Sequence, residues 1–131
     1  MVIDTSAVIA ILRLEPDAQR FVDAIVASSL RLISAVSVQE SCMVLAGRAG
    51  GPESWSGLDE LIERARIQIA PYDDAQAHMA REAFLRYGKG RHPAALNFGD
   101  CASYALARVR HLPLLFKGED FARTDIARAN P

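Results

Sequence analysis

The sequence is poor in cysteine, has almost no net charge and contains no long apolar run. Its two cysteines, Cys42 and Cys101, lie in apolar helical surroundings and form no CxxC pair. We interpret them as small buried thiols of a reducing compartment, which argues against a disulfide framework and against a zinc site. The formal net charge of -1 excludes a globally basic protein. Any contact with nucleic acid must therefore come from a local patch.

No segment approaches the roughly 18 apolar residues that a membrane span needs, and no charged-then-apolar leader opens the chain. We therefore expect a cytoplasmic protein that makes no membrane contact. Hydrophobic residues make up 50% of the 131 residues, so a well-filled core is expected. A chain of this length can form a single domain, residues 1–131, that buries roughly two thirds of its unfolded surface.

Short aliphatic segments alternate with helical segments along the whole chain. The pattern predicts strands at residues 2–3, 30–33, 67–71 and 112–116, with helices after each, including one at residues 53–65. Strands that alternate with helices pair in parallel and are covered on both faces. The predicted fold class is α/β, a small and mostly parallel sheet of about four or five strands with helices on both faces.

The opening segment, Val2–Ile3–Asp4, places a carboxylate directly after a buried strand and before a strongly apolar helix. Open α/β sheets bind their ligands at this position, beyond the carboxyl end of a strand. Alternatively, Asp4 or Thr5 simply caps the helix and satisfies amides that would otherwise lack partners. The segment by itself favours neither interpretation.

Three further acids fall where they could join Asp4. Glu40 lies on an apolar stripe of a predicted helix, where an uncompensated carboxylate is costly, and this favours a functional role. Asp100 occupies the first turn of another helix, where it could merely complement the helix dipole, an effect of about 0.3–1 kcal/mol. Asp120 follows the last predicted strand in a Gly–Glu–Asp segment, which alone indicates no more than a turn.

Taken together, these four acids indicate a metal site, because strand ends and helix starts meet at one edge of a parallel sheet. Carboxylates about 5 Å apart repel one another by roughly 3 kcal/mol per pair at an effective dielectric constant near 20. Divalent cations would relieve that repulsion. A ligand set of oxygens without histidine or cysteine is typical of Mg²⁺ or Mn²⁺ rather than zinc.

Four motifs around these acids occur in the order and spacing of a known family. They are residues 2–7 (VIDTSA), the helical Glu40, residues 97–101 (NFGDC) and residues 117–121 (KGEDF). Through these motifs nearly the whole chain resembles the PIN-domain ribonuclease toxins of the VapC type. The resemblance implies a metal-dependent endoribonuclease that acts as the toxin of a toxin–antitoxin pair. It also implies Mg²⁺ as the cofactor (Mn²⁺ as a substitute), RNA as the substrate, a small antitoxin as the partner and a homodimer.

The resemblance assigns the catalytic acids to Asp4, Glu40, Asp100 and Asp120. Asp4 and Asp100 match the metal ligands best, and the other two acids complete the coordination of the first ion or hold a second. Thr5 or Ser6 matches the hydroxyl that steadies a metal-bound water, and Glu119 could replace or assist the last acid. The implied chemistry is hydrolysis of an RNA phosphodiester by metal-activated water.

A basic segment leads from a predicted helix towards Asp100 and offers RNA a route to the acids. We interpret Arg86, Lys89 and Arg91 as phosphate contacts on a flexible, glycine-rich loop, and Tyr87 as an aromatic that stacks on a base. The same track would include two residues that are each near an acid, Arg13 and Lys117. The alternative is an ordinary solvated surface loop.

Two other functions remain open from the sequence. A phosphotransfer or phosphatase domain with an acidic pocket would also begin with a strand that ends in aspartate. The haloacid-type pattern, however, requires a second aspartate where Ser6 stands, and a receiver-like domain requires an acid pair as well as a lysine such as Lys117. A non-catalytic PIN-like binding module would retain the acids without using them, and the intact Asp4, Glu40 and Asp100 argue against it.

Overall fold

The computed structural model describes residues 1–129, and its centre is a four-stranded parallel sheet. The strands lie in the order β3-β2-β1-β4, and β1 pairs in parallel with both β2 and β4. Their bounds are β1 Val2–Ile3, β2 Leu32–Ser34, β3 Gln68–Ala70 and β4 Leu114–Leu115. The predicted parallel α/β sheet is confirmed, although β2 to β4 are shorter than the segments that predicted them.

Six α-helices connect and flank the strands within the described residues. They are α1 Thr5–Leu12, α2 Ala18–Ala27, α3 Ala35–Ala46, α4 Ser56–Arg64, α5 Asp74–Tyr87 and α6 Phe98–Arg110. The helix predicted at residues 53–65 is divided, because Pro52–Trp55 forms a 3₁₀ turn and the α-helix begins only at Ser56. A second 3₁₀ turn, Phe121–Arg123, follows β4.

Side-chain caps fix where the helices around the site begin. The side chains of Asp4, Ser34, Asp73 and Asn97 each accept a hydrogen bond from an amide in the first turn of the helix that follows. Asp17 is the exception among the acids that precede an α-helix. It lies at the start of α2 but makes no side-chain capping bond, because its carboxylate binds Lys117 instead.

Alternate strand residues face two separate cores, as the pleat of a β-strand requires. In β1, Val2 faces a core shared with α5 and α6, whereas Ile3 faces a core shared with α1, α2 and α4. β2 and β4 divide their residues in the same way. The helices therefore cover both faces of the sheet, as predicted, and its carboxyl edge is left for the loops and helix starts that carry the acids.

Both cysteines are free thiols, as predicted, but only Cys101 is fully buried. Cys42 is half-buried and lies in a shallow groove beside Trp55. Each helix found between residues 1 and 129 is too short or too polar to traverse a lipid bilayer.

Candidate active site

A cleft of about 420 Å³ opens at the carboxyl edge of the sheet. Three of the four predicted catalytic acids line it together with both predicted hydroxyls, and the full lining is Asp4, Thr5, Ser6, Ile9, Glu15, Glu40, Val44, Asp100 and Lys117. The fourth acid, Asp120, is exposed at the start of the second 3₁₀ turn. The structure thus gathers at one place residues that are widely separated in the sequence.

Asp4 caps α1 with one of its carboxylate oxygens and leaves the other oxygen facing the cleft as a candidate ligand. It is 2% exposed, and its Oδ2 accepts hydrogen bonds from the Ser6 amide at 2.9 Å and from the Ser6 hydroxyl at 2.6 Å, which caps α1. Its other oxygen, Oδ1, is buried and has no hydrogen-bond partner among residues 1–129. A buried carboxylate oxygen without a partner destabilises the folded protein unless a cation binds to it. This oxygen is therefore a candidate metal ligand.

The protonation of Asp100 depends on its burial and on the charges of the other three acids. Asp100 forms a capping box with Asn97, in which the Asp100 amide donates to Asn97 Oδ1 at 2.9 Å and the Asn97 amide donates to Asp100 Oδ2 at 2.8 Å. Burial is the main cause that raises the pKa of Asp100 to about 6; the charges of Asp4, Glu40 and Asp120 contribute to that rise, and the Asn97 amide opposes it. The four acids thus form one electrostatic cluster. Of the two acids that follow β4, Asp120 is the one whose charge contributes to the raised pKa of Asp100.

Glu40 is held against the start of α6. The Thr5 hydroxyl donates to its Oε2 at 2.5 Å. A Cβ atom at Gly99 would lie 2.5 Å from both carboxylate oxygens of Glu40. Only glycine permits this approach, so a larger residue at position 99 would displace the Glu40 carboxylate.

Both predicted hydroxyls orient carboxylates in this structure. Ser6 donates to Asp4 and accepts from the backbone amide of Lys117 at 3.0 Å, and Thr5 donates to Glu40. Each hydroxyl proton is thereby committed to an acid. The suggested contact of Thr5 or Ser6 with a metal-bound water stays a prediction.

Lys117 is engaged by two acids that the sequence analysis did not assign to the site. Its ammonium group lies 2.5 Å from Glu15 and 2.7 Å from Asp17. Hydrogen bonds to Asp17 and Glu15 raise the pKa of Lys117, and the bond to Lys117 lowers the pKa of Asp17. Lys117 therefore adds no free positive charge for RNA. In the sequence the two acids flank Pro16, and nothing local in that segment indicates that they meet Lys117.

The prediction that Tyr87 stacks on a base is wrong. Its side chain is 8% exposed and packs in the core, with its ring centroid 5.2 Å from His92 and 5.9 Å from Tyr104. The segment after it is not a flexible loop either. Lys89 donates its amide to Leu96 at 3.0 Å, and Leu96 donates to Tyr87 at 2.9 Å, which closes the segment into an ordered turn.

The remaining basic residues of the predicted track lie at the surface. Arg86 stacks over Tyr87 and lies 3.6 Å from Asp125, so part of its charge is compensated. Lys89 and Arg91 are exposed. Arg13 donates to the carbonyl of Val44, a residue of the cleft, at 3.4 Å. Within the predicted basic track, Arg13, Lys89 and Arg91 are therefore the cations that RNA could reach.

The donor set of the cleft fits a magnesium-type ion that keeps part of its water. Within residues 1–129, no three His, Cys, Asp or Glu side chains are arranged so that they could hold an ion by themselves. Mg²⁺ characteristically takes one or two carboxylates and fills its remaining positions with water and substrate phosphate. The unpartnered Oδ1 of Asp4 and the carboxylate of Asp100 meet that requirement with oxygen ligands alone.

Comparison with known proteins places these features in a family. The family model of the PIN domain matches residues 1–127. Ribonuclease VapC30 of Mycobacterium tuberculosis is 50% identical over 127 residues, which cover 97% of this chain and 96% of that protein.

Solved structures share the fold at much lower identity. Mycobacterium tuberculosis VapC20, described as a sarcin-ricin loop cleaving toxin, has a TM-score of 0.77 at 15% identity and covers 99% of this chain and 98% of its own. A toxin–antitoxin complex from Klebsiella pneumoniae contains a chain with a TM-score of 0.70 at 18% identity, over 95% of this chain and 92% of that one.

Proposed function

The chain belongs to the PIN-domain family and resembles its VapC ribonucleases over nearly its whole length, and we propose that it is a metal-dependent endoribonuclease, the toxin of a toxin–antitoxin pair. One observation carries the proposal. Asp4 presents a buried oxygen without a hydrogen-bond partner among the described residues, in the same cleft as Asp100, whose pKa is raised by burial and by the charges of the other acids. Such a cluster is unfavourable in a folded protein unless a divalent cation binds to it.

In the proposed reaction each acid has a distinct place. Asp4 and Asp100 would hold a Mg²⁺ or Mn²⁺ ion, and Glu40 and Asp120 would complete its surroundings. When bound, such an ion makes water more acidic and stabilises charge that develops on the scissile phosphate. Ser6 keeps the Asp4 carboxylate fixed. Thr5 binds Oε2 of Glu40, which leaves Oε1 to accept a proton from the attacking water.

The phosphotransfer alternative loses its support in the structure. A receiver-like domain would direct a lysine at the phosphoryl group, and Lys117 was the candidate. Its ammonium group is instead held by Glu15 and Asp17.

The test of the proposed function is cleavage of RNA by the purified protein. Total RNA should be cut in Mg²⁺ or Mn²⁺ and remain intact in EDTA, with the cut sites read by sequencing. Cleavage that survives exhaustive chelation would remove the metal from the mechanism. A protein that binds RNA but never cuts it would instead be the non-catalytic binding module.

For the RNA contact, we expect Lys89→Ala with Arg91→Ala to weaken RNA binding and to flatten its salt dependence. Two lost phosphate contacts should reduce the slope of log K against log salt by about 1.4 for a single strand. The measurement is RNA affinity at several salt concentrations. Arg66→Ala with Arg110→Ala is the matched control, because it removes two exposed charges that precede β3 and β4 at the opposite edge of the sheet. If both pairs act alike, the Lys89–Arg91 turn is no RNA contact.

The proposed antitoxin would mask the acidic cleft. The Klebsiella pneumoniae structure is a toxin–antitoxin complex, which supports a partner of this kind for the present chain. A cluster of carboxylates attracts guanidinium groups, which form the strongest charge-assisted hydrogen bonds with them. We therefore propose that an arginine of the antitoxin reaches the cleft and competes there with the metal ion.

The proposed homodimer would use an apolar strip, defined here as Met43, Phe84 and Phe98. Their exposed fractions are 67%, 41% and 71%. Two shallow grooves of about 380 and 360 Å³ meet at Phe98 and make the strip continuous. Single exposed apolar residues are ordinary, but a contiguous patch is typical of a protein interface.

We expect the protein to behave in solution as a dimer of two 14.3 kDa chains and Phe84→Lys to shift it to the monomer. The lysine would place a charge within the strip, where the partner copy would exclude the water that the charge needs. Val26→Lys is the control, because Val26 is 67% exposed but lies on α2, outside the strip. Light scattering of the eluting protein gives the mass. An unchanged dimer in Phe84→Lys would assign the strip to another partner.

A further inference from the structure

Below the acidic cleft, two buried serines connect the helices that carry the acids. Ser37 precedes Glu40 by one turn of α3, and Ser103 follows Asp100 by one turn of α6. Their hydroxyl oxygens lie 3.0 Å apart, and both residues are 0% exposed. The pair therefore forms a direct hydrogen bond between α3 and α6, shielded from water.

The same connection extends to the helix that Asp4 caps. Thr5 Oγ1 lies 3.4 Å from the carbonyl oxygen of Ser37 and 2.5 Å from Oε2 of Glu40. One hydroxyl thus contacts both the backbone beneath the site and an acid within it. The buried hydroxyl groups join α1, α3 and α6, the three helices that position Asp4, Glu40 and Asp100.

α3 and α6 approach each other closely beside the acids. Gly99 approaches Glu40 so closely that a Cβ atom there would lie 2.5 Å from its oxygens. Hydrogen-bonded oxygens 3.0 Å apart are closer than the roughly 3.5–4.0 Å at which non-bonded atoms rest. Without the hydrogen bond this pair no longer ties α3 to α6, and the separation of the two helices at this point is no longer fixed by it. Catalytic groups must be held to within about 0.5 Å to function well.

We propose that the Ser37–Ser103 hydrogen bond is a positioning device that sets the distance between Glu40 and Asp100 and thereby the affinity of the cleft for its divalent ion. The inference rests on the proposed metal-dependent function. Stability alone does not explain the pair, because two alanines would occupy nearly the same buried space and would need no partners.

The experiment compares Ser37→Ala, Ser103→Ala and the double variant with Ser41→Ala. Ser41 is a matched control, because it is also 0% exposed and lies on α3. Its hydroxyl donates at 2.7 Å to the Ser37 carbonyl within the same helix. Ser41→Ala thus removes a buried hydroxyl without cutting the bond between the helices.

Mn²⁺ binding to the RNA-free protein, followed by electron paramagnetic resonance of the free ion, is the first readout. The double variant should bind Mn²⁺ about 10-fold more weakly or worse, the size of effect that residues supporting metal ligands have. In cleavage assays its kcat should fall while KM for RNA stays unchanged, because no RNA contact is altered. Its melting temperature in EDTA should stay close to that of Ser41→Ala.

A double variant with wild-type Mn²⁺ affinity and wild-type kcat would overturn the inference. So would a Ser41→Ala protein that loses as much Mn²⁺ affinity as the double variant. A wild-type protein that binds no Mn²⁺ and cuts no RNA would overturn the proposed function itself, and that result is distinct from a loss confined to the serine variants.

Discussion

Replacing Asp4 by asparagine should lower RNA cleavage by about 10²- to 10³-fold, the loss expected when one group that supports transition-state charge is removed. The substitution leaves the local structure intact, because an asparagine oxygen can still accept the capping hydrogen bonds from Ser6. The amide NH₂ group then takes the place of the unpartnered Oδ1. A donor at that position repels a cation, so metal binding and cleavage should fail together.

The effect of Asp4→Asn is measured on RNA cleavage and on cell growth. Cleavage is measured as kcat/KM on a defined RNA, and toxicity as growth arrest when the protein is expressed without its antitoxin. Asp4→Asn should relieve the arrest. Asp23→Asn is the control, because Asp23 lies on α2 and bonds only with Gln19 at 2.8 Å. Equal toxicity and equal cleavage for wild type and Asp4→Asn would argue against nuclease action at this cleft.

Asp100→Asn should melt at a higher temperature than wild type in EDTA at pH 8. Burial, together with the charges of Asp4, Glu40 and Asp120, raises the pKa of Asp100 from 3.8 to about 6, so the charged form is disfavoured in the folded protein. Two pKa units correspond to at most about 3 kcal/mol, and partial exposure reduces this to about 1–2 kcal/mol. A gain of that size raises the melting temperature by roughly 4–8 °C. A simple dipole-complementing acid would give the opposite sign.

The pH dependence of wild-type stability in EDTA follows from the same shift. Because the pKa of folded Asp100 lies above its unfolded value of 3.8, the folded state binds the proton more tightly. The contribution of Asp100 to the free energy of unfolding should therefore be greatest below about pH 4. It should be lost as the pH rises through about 6. The advantage of Asp100→Asn over wild type should accordingly vanish near pH 4.

Magnesium should reverse the order of the two proteins. An ion that binds only the folded state stabilises it by mass action, and wild type has the full set of acids to bind it. Thermal melts of both proteins in EDTA and in Mg²⁺ make the comparison. An Asp100→Asn protein that melts lower in EDTA and gains as much from Mg²⁺ as wild type would remove Asp100 from the metal site.

The positions of the acids were predictable because they depend on local sequence. Asp4 and Asn97 cap helices through their immediate neighbours, and short aliphatic segments mark the strands. A parallel sheet then brings those ends to one edge whatever the details of packing. The cluster around Asp100 follows from these two facts.

Other features depend on contacts between distant parts of the chain and could not be predicted in the same way. Lys117 and Glu15 are 102 residues apart, and nothing local in either segment indicates that they meet. Tyr87 was expected to face RNA because it lies among basic residues, but packing against Tyr104 buries it. The Ser37–Ser103 bond likewise joins two helices whose sequences only show small polar residues on apolar faces.

The most direct test of the central claim is the chemistry of the cut ends of RNA. A water molecule activated in the acidic cleft would attack the phosphodiester itself, so cleavage in Mg²⁺ and H₂¹⁸O should place one solvent oxygen on the terminal phosphate in the first turnover. No 2′,3′-cyclic phosphate should form, because the ribose 2′-hydroxyl takes no part. Ends that carry a 2′,3′-cyclic phosphate, produced equally well in EDTA, would contradict hydrolysis by metal-activated water at Asp4 and Asp100.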